Sequence, residues 1–219
     1  MCDYISELFF QMSHADKVRI SKAFSQLLRH TATEEPTLEV RADGFIELSS
    51  ILDLAFFRKR GVDIDFVRSM VGSDEKNRFS LKQEGGHLFI RANQGHSKDV
   101  AAQLEVECIL TPIISASEIP KCVHGTNEQA WEQHIRLEGL KPMSRSHIHF
   151  APGILGEEGV KSGMRKTASV HIYVDTEKAM RDGIKFYRSE NDVILSDGLN
   201  GVISPSYFSR IEINGKQLF

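Results

Sequence analysis

Apolar positions recur at roughly helical spacing through the first part of the chain, then give way to short apolar runs separated by turns. Val18, Ile20, Phe24, Leu27 and Leu28 predict a helix over 15–30. After an Asp43-Gly44 turn, Leu48, Ile51, Leu52, Ala55 and Phe56 predict a helix over 48–57, opened by Ser49 or Ser50. A third helix is predicted over 64–71, with Ile64, Val67, Met70 and Val71 inward. Residues 78–81 and 87–90 then flank Glu84-Gly85-Gly86 as the two strands of a hairpin, and Arg78 opens the first strand on the face opposite Phe79.

Strands dominate the second half. They are predicted over 108–114, 121–124, 147–150, 169–174, 193–195 and 210–213, with one helix over 127–137 and Gly139 past its end as the C-cap. Short strands with few interrupting helices indicate an α+β architecture rather than a doubly wound sheet. Three helices followed by a hairpin is the order of a winged-helix module, a fold that often binds nucleic acid without proving it. The boundary is expected near Asp99, giving an N-terminal lobe over 1–98 and a β-rich lobe over 99–219, with the polar run that follows the hairpin between them.

Composition adds exclusions. The 219 residues are 41% hydrophobic and 26% charged, ordinary for a globular chain that buries a core in one or two domains. Low-complexity segments and repeats are absent, and no apolar run approaches the roughly 18 residues of a membrane span. No charged-then-apolar leader pattern is visible, so an intracellular location, cytoplasmic or nuclear, is expected, with no membrane partner. Cys2, Cys108 and Cys122 are odd in number and widely spaced, which reads as three unpaired thiols. A net charge of -3 argues against coating long nucleic acids, yet leaves room for a few focused arginines.

Candidate chemistry collects in four polar runs. Ile90-Arg91-Ala92-Asn93-Gln94-Gly95-His96-Ser97 packs a guanidinium, two amides and an imidazole around one glycine, a grouping able to present several donors to one anion. The others are Leu28-Arg29-His30, Lys76-Asn77-Arg78-Phe79 and Arg145-Ser146-His147-Ile148-His149. Each has a plainer alternative. Arg29 and His30 end a helix, where cations are favoured by its dipole whether or not a phosphate is bound. Arg78 is either solvated or aimed at a cleft. His147 and His149 alternate on a strand, as in a metal pair completed by His124 or His171, but Arg145 upstream favours an anion or nucleotide instead. His124-Gly125-Thr126 is either an ordinary strand-to-helix turn or a phosphate-binding one, with Thr126 or Asn127 as the cap. The long loop over 151–162, with Gly153, Gly156 and Gly159, leads into Ser162-Gly163-Met164-Arg165 and reads as a connection or as a flap over a ligand. No Walker, Rossmann or nucleophile-elbow pattern is present.

Together these runs resemble the RNA 2′-phosphotransferase family. The resemblance is carried by Ser21-Lys22 with Leu28-Arg29-His30, by Asp43-Gly44-Phe45, and by Lys76-Asn77-Arg78-Phe79-Ser80-Leu81. It continues through the whole of residues 90–97, then Val123-His124-Gly125-Thr126, Gly139-Leu140 and Arg145-Ser146-His147-Ile148-His149, and ends with Ser162-Gly163-Met164-Arg165 and Val193-Ile194-Leu195.

The resemblance implies a winged-helix RNA-side lobe joined to an ADP-ribosyltransferase-like lobe that binds NAD as co-substrate, without a metal, in a monomer. It implies a two-step reaction on 2′-phosphorylated RNA, in particular ligated tRNA. The internal 2′-phosphate first displaces nicotinamide from NAD; the neighbouring ribose hydroxyl then attacks the phosphorus, giving 2′-OH RNA and ADP-ribose 1″,2″-cyclic phosphate. Arg29, His30, Arg78 and Arg145 match the family's essential set. His124, Gly125, Thr126, His147, His149, Ser162, Gly163 and Arg165 would line the NAD pocket, and Lys22, Arg91, Asn93, Gln94 and His96 would hold phosphate or RNA.

Four departures stand out. Asn77 replaces the usual Gln, and Asn127 stands where an aromatic often follows His-Gly-Thr. Asn191-Asp192 replaces Asn-Gly, and Ser196-Asp197 replaces Thr-Pro. The alternatives are an NAD-dependent ADP-ribosyltransferase that caps phosphorylated RNA or DNA ends, a noncatalytic winged-helix RNA-binding protein, and a metal hydrolase built on His147 and His149.

Overall fold

Ser13 starts the first helix by accepting the Asp16 backbone N–H on its hydroxyl at 3.1 Å, a side-chain N-cap. In this computed structural model, which describes residues 12–158 and 160–218, α1 (His14–Gln26) passes into a π-helical turn over Leu27–Thr31 and a 3-10 turn over Ala32–Glu34. The buried stripe is Ile20, Phe24, Leu27 and Leu28. Val18, expected on that stripe, is 38% exposed. Two positions before Ile20 lies nearly half a helical turn away, so the two side chains cannot share a face.

The helix predicted over 48–57 is two helices, α2 (Leu48–Leu52) and α3 (Ala55–Arg58), separated where Leu54 turns extended at φ -61°, ψ 138°. Glu47 takes the cap position expected for Ser49 or Ser50. The break changes which aromatic turns inward: Phe57 is buried, while Phe56 stays at the margin beneath the Arg60 guanidinium, 3.8 Å from its ring centroid. In α4 (Ile64–Gly72), Asp63 caps the Phe66 N–H at 2.7 Å, and Phe66, Val67 and Met70 face the core. Ile64 sits in the first turn and is 43% exposed, against expectation.

The hairpin closes as β2 (Phe79–Glu84) and β3 (His87–Ala92), with Gly85 and Gly86 both left-handed at φ 57° and 85°, the signature of a two-residue I′ turn. A short unanticipated strand, β1 (Ile46–Glu47), pairs with β3 and gives the order β1-β3-β2. Arg78 lies just before β2 rather than in it. Phe24 packs on Phe57 and Phe79 at centroid separations of 4.5 and 6.5 Å, joining helix and hairpin. After β3 come α5 (Lys98–Ala101) and α6 (Val106–Ile109). The strand predicted over 108–114 therefore shrinks to β4 (Leu110–Ile113). Cys108 belongs to α6 because the Glu105 N–H bonds the Ala42 carbonyl at 2.9 Å and Arg91 Nη1 donates to the Cys108 carbonyl at 3.2 Å, drawing this segment onto the Asp43 turn.

The chain divides into two compact units between Ile109 and Leu110. The second holds β5 (Val123–Thr126), β6 (Ile148–Phe150), β7 (Val170–Val174), β8 (Phe186–Ser189), β9 (Ile194–Ser196), β10 (Phe208–Ile213) and β11 (Lys216–Gln217). They form two antiparallel four-stranded sheets, β11-β10-β7-β5 and β4-β8-β9-β6, joined where Val123 and Ala151 exchange backbone hydrogen bonds at 3.0 and 2.9 Å. Phe150, Ile172, Phe186, Ile194 and Ile211 fill the core of this unit. Lys121 precedes β5, which runs on through Gly125 and Thr126, and His147 precedes β6.

The predicted helix over 127–137 consists of α7 (Glu128–Ala130), a π segment Trp131–Ile135 and α8 (Arg136–Glu138). It ends at Gly139, left-handed at φ 82° with its missing Cβ directed at the Ile203 carbonyl. The helix α9 (Thr176–Arg181) and strands β8 and β11 were not legible in the pattern. The architecture is mixed helix and sheet, and among the described residues no helix is long and apolar enough to cross a membrane. Cys108 and Cys122 are free thiols, while Cys2 and Gly159 lie outside the described residues.

Two substitutions check this packing by chemical denaturation. Phe24→Ala removes a fully buried ring and is expected to cost about 3–5 kcal/mol. Gly139→Ala combines a left-handed backbone with a collision against the main chain and should cost about 2 kcal/mol or more. Losses below ~1 kcal/mol at both would contradict the packing described.

Candidate functional site

In the first unit, Arg29 and His30 lie in the π-helical turn that ends the first helix. A π turn inserts one residue into the helical register and is often found at functional sites. The polar run after β3 folds back onto it. The Ser97 N–H donates to the Arg29 carbonyl at 2.8 Å, and Gly95, left-handed at φ 88°, lies flat against the Arg29 side chain. A Cβ on Gly95 would stand 3.5 Å from Arg29 Nε and 3.6 Å from Cδ and Cζ. At its other end the same run holds Arg78: the Asn93 N–H donates to the Arg78 carbonyl at 2.9 Å, continuing the β2–β3 register in which Phe79 faces Ala92. Residues 93–97 thus link the backbones of Arg29 and Arg78, and His30 comes with them.

The remaining residues expected on this side fall into two groups. Lys22 is exposed on α1, two turns ahead of Arg29. Gln94 is half-buried and His96 is 6% exposed, both within the run that contacts Arg29. Asn93 and Arg91 are placed in the scaffold. Asn93 is 2% exposed, with its amide donating to the Asn77 carbonyl at 2.8 Å and accepting from Ser80 Oγ at 2.7 Å. Arg91 donates Nη1 to the carbonyls of Asp43 and Cys108 at 3.0 and 3.2 Å and lies 4.7 Å over the Phe45 ring. Asp74, outside every motif singled out in the sequence, accepts from both the backbone and the guanidinium of Arg78.

The second unit brings together the three remaining motifs. His124 donates Nδ1–H to the His149 carbonyl at 2.9 Å, and His149 donates Nδ1–H to the His147 carbonyl at 2.9 Å. A ring nitrogen facing a carbonyl must carry the proton, so Nε2 is the acceptor nitrogen of either ring in its neutral form. Burial holds the His124 pKa below the ordinary imidazole value, with the hydrogen bond to His149 opposing it only in part. Burial also lowers His147, against a smaller upward pull from Asp197.

Gly125 is obligatory because Met164 and Ala168 pack on it: an added Cβ would sit 2.9 Å from Met164 Cβ and 3.0 Å from Ala168 Cβ. Gly163, at φ 99°, presses onto the backbone of Phe150 and Ala151, where a Cβ would be 2.7 Å from both Ala151 Cα and the Phe150 carbonyl oxygen. The Ser162-Gly163-Met164-Arg165 turn is therefore docked on β5 and on the end of β6. Arg145 is partly buried and faces Arg165; burial first, and then the Arg165 charge, depress its pKa. Among the described residues neither guanidinium has a carboxylate partner. Two like charges left uncompensated in one place make a site for an anion. No group of three His, Cys, Asp or Glu side chains among the described residues could hold a metal ion. His171 pairs on β7 with Gly125 and Glu212.

The four departures acquire local reasons. Asn77 is left-handed at φ 44°, a conformation Asn adopts far more readily than most residues. Asn127 caps its helix, accepting the Ala130 N–H at 2.8 Å. Asp192 occupies a left-handed position at φ 59°, where glycine would be unstrained. Ser196 is fully buried, donating to the Lys185 carbonyl at 2.7 Å and accepting from the Gly198 N–H at 3.0 Å. Sequence reading did not reach the support behind Ser162, where Asn191 Nδ2 donates to the serine hydroxyl at 3.5 Å while Asn191 Oδ1 accepts from Ser189 Oγ at 2.8 Å.

Arg145 and Arg165, together with His124 and His147 whose pKa values burial lowers, give the second unit a site with the charge to hold an anion. Residues 15–198 match the profile of the RNA 2′-phosphotransferase, Tpt1 / KptA family, and the chain belongs to that family. A Schizosaccharomyces pombe protein is 48% identical over 197 residues, which is 90% of this chain; the chain spans about half of that relative's length, 52%. The tRNA 2′-phosphotransferase 1 of Danio rerio is 42% identical over 89% of this chain and 85% of its own. The tRNA 2′-phosphotransferase of Saccharomyces cerevisiae is 37% identical over 86% and 83% respectively.

The lowered imidazoles give a testable pH dependence. The unfolded chain takes up protons at His124 and His147 near about pH 6.5, while the folded chain resists until lower pH. The unfolded state then binds more protons in that window, so the unfolding free energy rises with pH up to about 6.5 and falls below it. His124→Asn keeps a donor for the His149 carbonyl and removes the proton site, so denaturation between about pH 5 and 7 should show a shallower slope. Equal slopes in the two proteins would refute the neutral, buried assignment.

Proposed function

We propose that this chain removes an internal 2′-phosphate from spliced tRNA by transferring it to ADP-ribose derived from NAD. On this reading the first unit is a winged-helix lobe on the RNA side and the second an ADP-ribosyltransferase-like lobe. The observation that carries it is the Arg145–Arg165 pair, uncompensated among the described residues and set beside histidines held neutral. Such a site favours a phosphorylated dinucleotide over a cation.

NAD supplies a ribosyl carbon that accepts the phosphate as nicotinamide departs. Arg145 and Arg165 neutralise phosphate oxygens, and charge stabilisation by preorganised guanidinium groups requires no metal. His124 offers Nε2 as an acceptor, and Gly125 beside it lets the turn carrying Met164 and Arg165 dock on the strand. In the first unit Arg29 and Arg78 bind the RNA phosphate, assisted by Lys22, Gln94 and His96, while Asn93 and Arg91 hold the framework. His30 moves a proton to or from the ribose hydroxyl in the transesterification, a role suited to an imidazole at neutral pH.

An internally 2′-phosphorylated oligoribonucleotide, incubated in EDTA with and without NAD, tests the reading. Phosphate loss should require NAD, survive chelation and yield ADP-ribose 1″,2″-cyclic phosphate. Equal loss without NAD, or arrest by EDTA, would overturn it; a stable ADP-ribosylated RNA would instead indicate end-capping chemistry. Arg29→Ala or Arg145→Ala should each lower kcat about 10²–10³-fold, as removal of a preorganised charge does.

A further inference from the structure

Asp74 lies in the turn after α4, yet its side chain is only 8% exposed. One carboxylate oxygen accepts the Arg78 backbone N–H at 2.6 Å. The other accepts the Lys76 N–H at 3.3 Å and also pairs with Arg78 Nη1. A single buried carboxylate thus grips both the main chain and the guanidinium of the same arginine. Asn77 makes this possible: its left-handed φ of 44° and its N–H bond to the Asp74 carbonyl at 2.8 Å turn the chain back on itself. From the opposite side Asn93 closes the clamp, donating its backbone N–H to the Arg78 carbonyl at 2.9 Å and its amide to the Asn77 carbonyl at 2.8 Å.

The Arg78 side chain nonetheless remains 36% exposed. A guanidinium carries five donors in a fixed planar fork. The Asp74 contact engages Nη1, and the edge formed by Nε and Nη2 lies outside it. An arginine already held in one orientation loses less side-chain freedom when it meets a phosphate, which is the gain of preorganisation.

We propose that Asp74 is a positioning residue for Arg78, fixing the plane in which that guanidinium meets the RNA phosphate. The inference rests on the functional reading above and deepens it. Misplacement of a charged group by about 1 Å can cost roughly 10²-fold in rate. Asp74→Asn keeps the size and a backbone acceptor but removes the charge, and it should lower kcat about ten- to a hundredfold. In an Arg78→Lys background the same change should cost less than about twofold, because groups acting through one another are not additive. Nitrogen-15 spectra of the arginine side chains, with Arg78 assigned by its loss in Arg78→Lys, should show slowed guanidinium rotation in the wild type that disappears in Asp74→Asn.

Unchanged kcat in Asp74→Asn, or a loss that persists in full in the Arg78→Lys background, overturns the proposal. Should Asp74→Asn fail to fold, Asp74→Glu retains the charge one methylene farther out and is read by the same two measurements. If the wild type releases no 2′-phosphate with NAD, the functional reading has failed separately. The arginine spectra then decide alone, and persistent Arg78 order without the Asp74 charge refutes the positioning role.

Discussion

Two backbone hydrogen bonds, from Asn93 to the Arg78 carbonyl and from Ser97 to the Arg29 carbonyl, set the geometry of the polar residues in the first unit. The four Cα–Cα steps between their donors can extend at most about 14 Å. Two arginines from distant parts of the sequence are therefore pinned at the ends of one short segment. Gly95 suits that segment because its backbone is left-handed at φ 88°, which glycine adopts without strain. The π turn carrying Arg29 and His30, the hairpin register and the left-handed turn at Asn77 all meet here, so helix, hairpin and loop form one arrangement.

The second unit solves a different problem, keeping histidines neutral beside arginines. Carbonyls take the Nδ1 protons of His124 and His149, and burial resists a second proton at His124 and His147. Cationic imidazoles would add repulsion to a site already holding Arg145 and Arg165. The glycines at positions 125 and 163 permit the turn carrying Arg165 to lie directly on the strands, with no room for a side chain at either contact. Backbone approach, rather than side-chain recognition, shapes this surface.

Side-chain chemistry was more legible than geometry. The pairing of Gly85 and Gly86 in a tight turn and the cap at Gly139 follow from local backbone preference, and both were readable from residue type. The break at Leu54, the burial of Phe57 in place of Phe56 and the helical state of Cys108 were not. Each depends on a partner far along the chain, such as the Ala42 carbonyl that captures Glu105. Arg91 illustrates the same limit. Its place in a polar run suggested a ligand contact, but nothing in that run showed that the Asp43 and Cys108 carbonyls and the Phe45 ring would engage it.

The order of polar motifs along the chain determined by itself that this protein belongs among the RNA 2′-phosphotransferases, because those residue types at those spacings constitute the family pattern. Tertiary structure alone decided which of the polar side chains are tied into the framework by buried hydrogen bonds. Asn93 and Asp74 resemble surface residues in sequence, yet both side chains are buried, Asp74 bonded to Arg78 and Asn93 to the carbonyls of Arg78 and Asn77. The physical reason is that a donor or acceptor has a role only relative to the partner opposite it, and that partner is supplied by folding.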